Sequence, residues 1–422
     1  MARVCGRLRK GAAIVAAVGA LGLPIAAGAV WGAVRGAEEG EPVTVAVPHM
    51  PSSTWPSVGE TPVLGPDVQR QLDAAVQGIM REVHVPGVTV GLWTPGKGSY
   101  VRSFGVADKD NGRPMAPDLR MRIGSETKTF TVTALLQLAD RGRVGLDDPI
   151  GKYVDGVPGG NRITLRQLAG MRSGLFDYAD DEAFFRALTS DPRRSLTPRE
   201  VLDHSFKHPV LFPPGRRFDY SNTNLVLLGL VVEKVGGLPL GEFIQRNILH
   251  PAGLDHTGFP VDASFPDPHA RGYTDQTAGG KVEDATDWNP SWAWAAGAMI
   301  SDLRDLRVWA RTVATGTLPD GTVLIRPALQ RQRLIASPTS APGVGYGLGI
   351  FDVQGWIGHN GSLPGYECLT VYLPPARTTL VVLLNTDIRH DGQQPSAIFG
   401  EAITKIATPG HVLSLPARPS AG

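Results

Sequence analysis

Ser125-Glu126-Thr127-Lys128 leads into Phe130, Ala134, Leu135, Leu138 and Ala139 at helical spacing, and Arg141-Gly142 closes the run. The pattern predicts a helix over about residues 126–141 with Ser125 at its first turn. Residues three apart share a helical face, so the Lys128 amine lies beside the Ser125 hydroxyl. A serine hydroxyl is a poor nucleophile until a neighbouring base takes its proton, and a lysine can do so where burial and a second cation lower its pKa. Of the few lysines in the chain, only Lys128 has a serine three residues upstream. The same four residues also suit a capping serine followed by an exposed lysine, so the spacing needs company.

Outward from this stretch, strand patterns lie at both chain ends. A helical pattern of Leu72, Val76, Ile79 and Val83 runs from Pro66-Asp67 to Pro86-Gly87, and strand-like runs follow over 88–93 and 100–105. After Gly142 the chain is rich in Pro, Gly and short helical segments, including 199–205, 223–235, 240–247 and 302–314. Strand signals return over 345–351, 355–357, 368–373 and 379–384, and a closing helix is expected over 394–406. The fold class expected is α/β (α+β): an antiparallel sheet built from both chain ends with flanking helices, plus a mostly helical inserted region. The α/β part covers about 67–146 and 340–407, and the insertion about 147–339.

Arg3, Arg7, Arg9 and Lys10 precede an uncharged apolar run over 11–34, so residues 1–35 read as a signal peptide or membrane anchor. Leu8 separates Arg7 from Arg9, which favours the general export route. The protein is expected to be secreted or membrane-anchored and extracytoplasmic, touching membrane only through this segment. Residues 36–66, with six prolines, read as a linker, and 408–422 as a C-terminal tail. Cys368 is then the lone cysteine of a mature chain, and its strand-like neighbours Leu369, Val371 and Tyr372 mark it as a buried small hydrophobe.

The formal net charge is +1, without a basic stripe beyond the first ten residues, which argues against a nucleic-acid partner. There is no dinucleotide or phosphate loop, no Gly-x-Ser-x-Gly elbow and no metal-ligand spacing. His204 and His208 are four apart, but Pro209 follows and no third ligand accompanies them in sequence. No cofactor and no metal are expected.

Two further motifs stand in order after Ser125: Tyr220-Ser221-Asn222 ahead of a helix, and Gly358-His359-Asn360-Gly361-Ser362 beside a strand running up to Ile357. Singly, each suits a helix cap or a hairpin turn. Taken together, with Arg122-Ile123-Gly124 at the nucleophile, 168–175, and Pro364-Gly365-Tyr366, the chain resembles the serine β-lactamase and penicillin-binding protein superfamily over about residues 67–407. More narrowly it is similar to class C β-lactamases, Streptomyces-type D-Ala-D-Ala carboxypeptidases and related esterases.

The resemblance implies a β-lactamase/transpeptidase-like fold and a serine hydrolase of amide, peptide or β-lactam bonds. Ser125 would be acylated, Lys128 would accept its proton and Tyr220 would relay it. Asn222, His359, Gly361 and Ser362 would bind substrate, Asn222 through a substrate amide and His359 as the wall opposite, and the backbone amides of Ser125 and Ser362 would form the oxyanion hole. The substrate implied is a small molecule or peptide: a peptidoglycan-like peptide, a β-lactam or an ester. An esterase, or a catalytically weak penicillin- or cell-wall-binding protein, is the alternative.

Departures are informative. Many relatives carry lysine where His359 stands, and the stretch 346–359 holds no Arg or Lys, so a fixed cation for a substrate carboxylate is missing unless Arg271 or Arg304 folds into the cleft. Trp288, Trp292 and Trp294 suit either a cleft wall or packing under the helical region.

Overall fold

The computed structural model describes residues 63–415; the expected export segment over 1–35, linker residues 36–62 and tail residues 416–422 lie outside the described residues. Helix α1 (Pro66–Val83) starts with proline in its first turn, where the missing N–H costs nothing, and ends at His84 in the left-handed region. Of the expected linker, Leu64 already belongs to the domain: its N–H donates to the Ser99 carbonyl at 2.9 Å, and its side chain is buried.

Strands β1 (Gly87–Thr94) and β2 (Gly98–Gly105) form a hairpin. From the other end of the chain come β3 (Ser337–Pro338), β4 (Val344–Tyr346), β5 (Phe351–Val353), β6 (Trp356–Leu363), β7 (Tyr366–Leu373) and β8 (Thr378–Leu384). They make one sheet in the order β2-β1-β8-β7-β6-β5-β4-β3, antiparallel throughout. The last strand therefore sits beside the first, with Val90 opposite Val382.

Side chains alternate across a strand, so register assigns each residue to a face. Tyr100 and Glu367 point to one face, where Tyr100 OH donates to Asp73 of α1 and Glu367 accepts from Ser396 N at the start of helix α5 (Pro395–Ala407). Cys368 and Tyr372 point to the other, where Tyr372 packs on Ala310 and Ala314 of α4 (Leu303–Thr315) and Cys368 Sγ donates to the Ile123 carbonyl. Both faces are covered, which is why β7 and β8 are buried at every position.

Two strand expectations need correction. The run over 345–351 is not one strand: Gly349, at φ +68°, turns the chain between β4 and β5, where a Cβ would lie 2.6 Å from Val132. Strand β6 does not stop at Ile357 but continues through His359 to Leu363, so the motif lies in a strand and not in a hairpin turn. Of the expected tail, residues 408–415 pack back on the domain: Leu413 is fully buried, and the His411 carbonyl accepts from Trp356 Nε1 at 2.8 Å.

Between the two groups of strands lie the helices. Helix α2 (Thr127–Asp140) is buried on nearly every side, and α3 (Asn222–Gly236) packs along it. Threonine hydroxyls inside α2 are satisfied, Thr131 Oγ1 by the Ala295 carbonyl at 2.7 Å and Thr133 Oγ1 by its own helix at 2.6 Å. Phe130 stacks on Trp309 of α4 at 3.9 Å between ring centroids. Among the described residues no single helix is long and apolar enough to cross a membrane.

Candidate active site

Ser125 lies in a 3-10 turn, Gly124–Glu126, that leads into α2, and this turn rests on β6. Backbone meets backbone there. A Cβ on Gly361 would lie 1.9 Å from the Ile123 carbonyl oxygen, and one on Gly124, at φ +50°, would lie 2.6 Å from Ser362 N. Glycine at both positions is what lets the Ser125 turn sit directly on the strand.

Lys128, fully buried in the first turn of α2, places Nζ 2.8 Å from Ser125 Oγ, 2.7 Å from Asn222 Oδ1 and 2.7 Å from the Ala296 carbonyl oxygen. Tyr220 OH donates to Ser125 Oγ at 2.9 Å, and Lys128 Nζ lies 5.0 Å from the centre of the Tyr220 ring. Ser125, Lys128, Tyr220 and Asn222 are therefore brought together. Asn222 is turned inward to Lys128, and its Nδ2 donates to Asp177 Oδ2 at 2.9 Å.

The alternation of β6 sorts the third motif. His359 pairs with Thr370 and Gly361 with Cys368, so both lie on the Ser125 face; Asn360 and Ser362 face away. Asn360 Nδ2 donates to Gln394 Oε1 at 2.7 Å on the far side of the sheet. Only the backbone of Ser362 is presented toward Ser125.

His359 is 2% exposed, packed among Tyr220, Tyr346 and Phe351. Its Nδ1 contacts the Asn360 carbonyl oxygen, which can only accept, so Nδ1 carries the hydrogen. Nε2 then accepts from Tyr346 OH at 3.0 Å. Burial, reinforced by the positive charge of Lys128, pushes the imidazole down to about 3. His359 is thus neutral and beside Tyr220.

Neither arginine singled out in the sequence replaces a cation here. Arg271 Nε is paired with Asp284, and Arg304 is exposed on α4. Trp288 is buried, Trp294 packs against Gly229 of α3, and the Trp292 carbonyl accepts from Tyr178 OH at 3.0 Å, so this segment packs under the helices while its Ala296 carbonyl reaches Lys128. Cys368 is buried and free of disulfide. His204 and His208 do have a carboxylate in space: Asp181 accepts from both, at 2.9 and 2.8 Å. Among the described residues no group of three or more His, Cys, Asp or Glu side chains has metal-binding geometry.

Three contacts had no sequence signal of their own: Tyr346 on His359, the Ala296 carbonyl on Lys128, and Asp177 on Asn222. Asp177 is 6% exposed, and burial, with the charge of Asp180 nearby, pushes its carboxyl up to about 6. Glu126, next to Ser125, is fully buried, and burial holds its carboxyl well above the ordinary range. Below it Arg333 donates to Thr133 Oγ1 and the Thr129 carbonyl at 2.8 and 3.0 Å.

The Beta-lactamase family profile matches residues 72–400. A D-stereospecific amidohydrolase from Streptomyces sp. superposes with a TM-score of 0.67 at 32% identity, covering 76% of this chain and 94% of that one. The D-amino acid amidase from Ochrobactrum anthropi SV3 superposes with a TM-score of 0.68 at 30% identity, covering 80% of this chain and 97% of that one. Protein flp of Staphylococcus aureus is 26% identical over 328 residues, 76% of this chain and 63% of that protein, so the chain spans less than two thirds of this relative's length. By the family match and the fold together, the chain belongs to the Beta-lactamase family of serine hydrolases.

Proposed function

We propose that this protein hydrolyses amides of D-configured acyl donors through an acyl-enzyme on Ser125. The observation that carries the reading is Ser125 Oγ within hydrogen-bond reach of both Lys128 Nζ and Tyr220 OH, at 2.8 and 2.9 Å. In its neutral form Lys128 donates its two N–H groups to Asn222 Oδ1 and the Ala296 carbonyl, which leaves its lone pair for the Ser125 hydroxyl hydrogen. As Oγ attacks the carbonyl carbon, that hydrogen passes to Nζ, and the ammonium formed donates to the same three oxygens. The backbone amides of Ser125 and Ser362 receive the oxyanion. Tyr220 hands a proton to the leaving nitrogen as the C–N bond breaks, and is reprotonated by the Lys128 ammonium, which gives up the hydrogen it took from Ser125. Water then cleaves the ester by the reverse path. The names of the two amide-hydrolysing relatives support the D-configured acyl group. The basic and apolar N-terminus supports an extracytoplasmic setting, where cell-wall peptides carry such residues.

Intact-protein mass spectrometry after incubation with a labelled penicillin tests the acyl-enzyme. A single adduct on the peptide containing Ser125 is expected. An adduct elsewhere, or none while amides and esters are still hydrolysed, overturns the reading.

The neutral His359 refines the substrate. A charge-assisted contact to a carboxylate is commonly worth about 1.5 to 3 kcal/mol, or roughly ten- to a hundredfold. Without it, D-configured peptide substrates with the C-terminal carboxylate free or amidated are expected to give kcat/KM values within about threefold of one another. More than about tenfold preference for the free carboxylate would restore carboxypeptidase action as the better reading.

A further inference from the structure

We propose that Asp177 is a positioning residue for this reaction: its carboxylate fixes the side-chain amide of Asn222 so that Oδ1 faces Lys128. The inference rests on the serine-hydrolase reading above and assigns a role to a residue outside its three motifs.

A carboxamide has two ends of nearly equal size and opposite hydrogen-bonding character, and nothing within asparagine itself decides between them. At this position the choice matters. With Oδ1 toward Lys128, the amine has an acceptor at 2.7 Å, and its lone pair stays available to Ser125. Turned over, Asn222 would aim an N–H at Nζ. That removes an acceptor from the ammonium and occupies the lone pair of the neutral amine, in competition with the Ser125 hydroxyl.

An ionised carboxylate only accepts, so Asp177 Oδ2, at 2.9 Å from Asn222 Nδ2, admits the amide in one orientation. The carboxylate is itself held. Its Oδ1 accepts from Ala179 N at 3.1 Å, capping the 3-10 turn Tyr178–Asp180. The loop before that turn is fastened to the first turn of α3, on which Asn222 sits. Thr223 Oγ1 donates to the Phe176 carbonyl at 2.7 Å and accepts from Tyr178 N at 3.2 Å, and Ser173 Oγ donates to Asn224 Oδ1 at 2.6 Å. A cap uses one carboxylate oxygen; here the second is aimed at Asn222.

The test uses the full chain and measures the acylation rate by a fluorescent penicillin, with kcat and KM on an amide the wild type hydrolyses. Asp177→Asn is expected to slow acylation and kcat by about tenfold or more with KM changed less than about threefold. Asp177→Ser keeps a hydroxyl cap for Ala179 N but falls short of Asn222, so it should melt like wild type and acylate slowly. The double variant Asn222→Ala/Asp177→Ala should acylate within about twofold of Asn222→Ala alone, because Asp177 acts through that amide. Wild-type acylation by Asp177→Ser, or a double variant slowed by the product of the two single effects, overturns the proposal. Ser125→Ala in the same assay separates the two failures: if it still acylates, the hydrolase reading itself is wrong.

Discussion

Ser125→Ala is expected to lower kcat/KM on every amide, ester and β-lactam substrate by about 10⁴-fold or more while melting within a few degrees of wild type. The loss follows from the chemistry, since no acyl-enzyme can form without Oγ, and what survives is binding and oxyanion stabilisation. The stability follows from the structure. Ser125 is not a helix cap: Glu126 occupies that position of α2, and no side chain there bonds the helix N-terminus. Removing one hydroxyl leaves Lys128 its contacts with Asn222 and the Ala296 carbonyl, so the cost is on the order of 1 kcal/mol. Hydrolysis assays and calorimetry on the same preparation check both halves. More than a tenth of wild-type activity, measured against a contamination control, would show that the nucleophile is elsewhere.

The second large effect belongs to Lys128→Met, which keeps the length of the side chain and removes the base. General-base transfer contributes typically about 10²- to 10⁴-fold, and the stopped-flow acylation burst with penicillin should slow by at least that range's lower end. Stability responds differently from acylation. Asn222 Oδ1 and the Ala296 carbonyl lose a donor, about 1 to 3 kcal/mol for each oxygen left unsatisfied, while relief of a fully buried amine offsets part of it. A variant that acylates within threefold of wild type would remove Lys128 from the proton path.

How far the sequence carries the reader differs from residue to residue. The closeness of Ser125 and Lys128 is legible because both lie in one local element, where spacing alone determines distance. Strands at both ends and helices between them are legible for the same reason, through local periodicity. What joins distant segments is not. Tyr220 comes to Ser125 across 95 residues of chain and Asn222 to Lys128 across 94, and only the likeness to a family announces them. Asn222 was expected to meet substrate, yet its amide is turned to Lys128, a choice made by Asp177 on a loop with no motif of its own. His359 is neutral, and that depends on which atoms surround each ring nitrogen: a backbone carbonyl one residue away and Tyr346 thirteen residues back. If the His-Asn-Gly-Ser run is a strand, period two sends Asn360 to the opposite face, so its identity bears on the packing of Gln394 rather than on substrate.

The strand order has a consequence for when this protein becomes an enzyme. Because β1 pairs with β8 and the nucleophile turn lies against β6, the groups around Ser125 are not assembled until the final quarter of the chain has been made. At about 5–20 residues per second of synthesis, roughly tens of seconds separate the appearance of Ser125 from that of its strand. During that interval the edge of β1 that β8 will cover has no partner, and the turn leading into α2 lacks the strand on which it rests. The groups around Ser125 therefore come together only after the last strands of the sheet exist, so the site is a late product of synthesis.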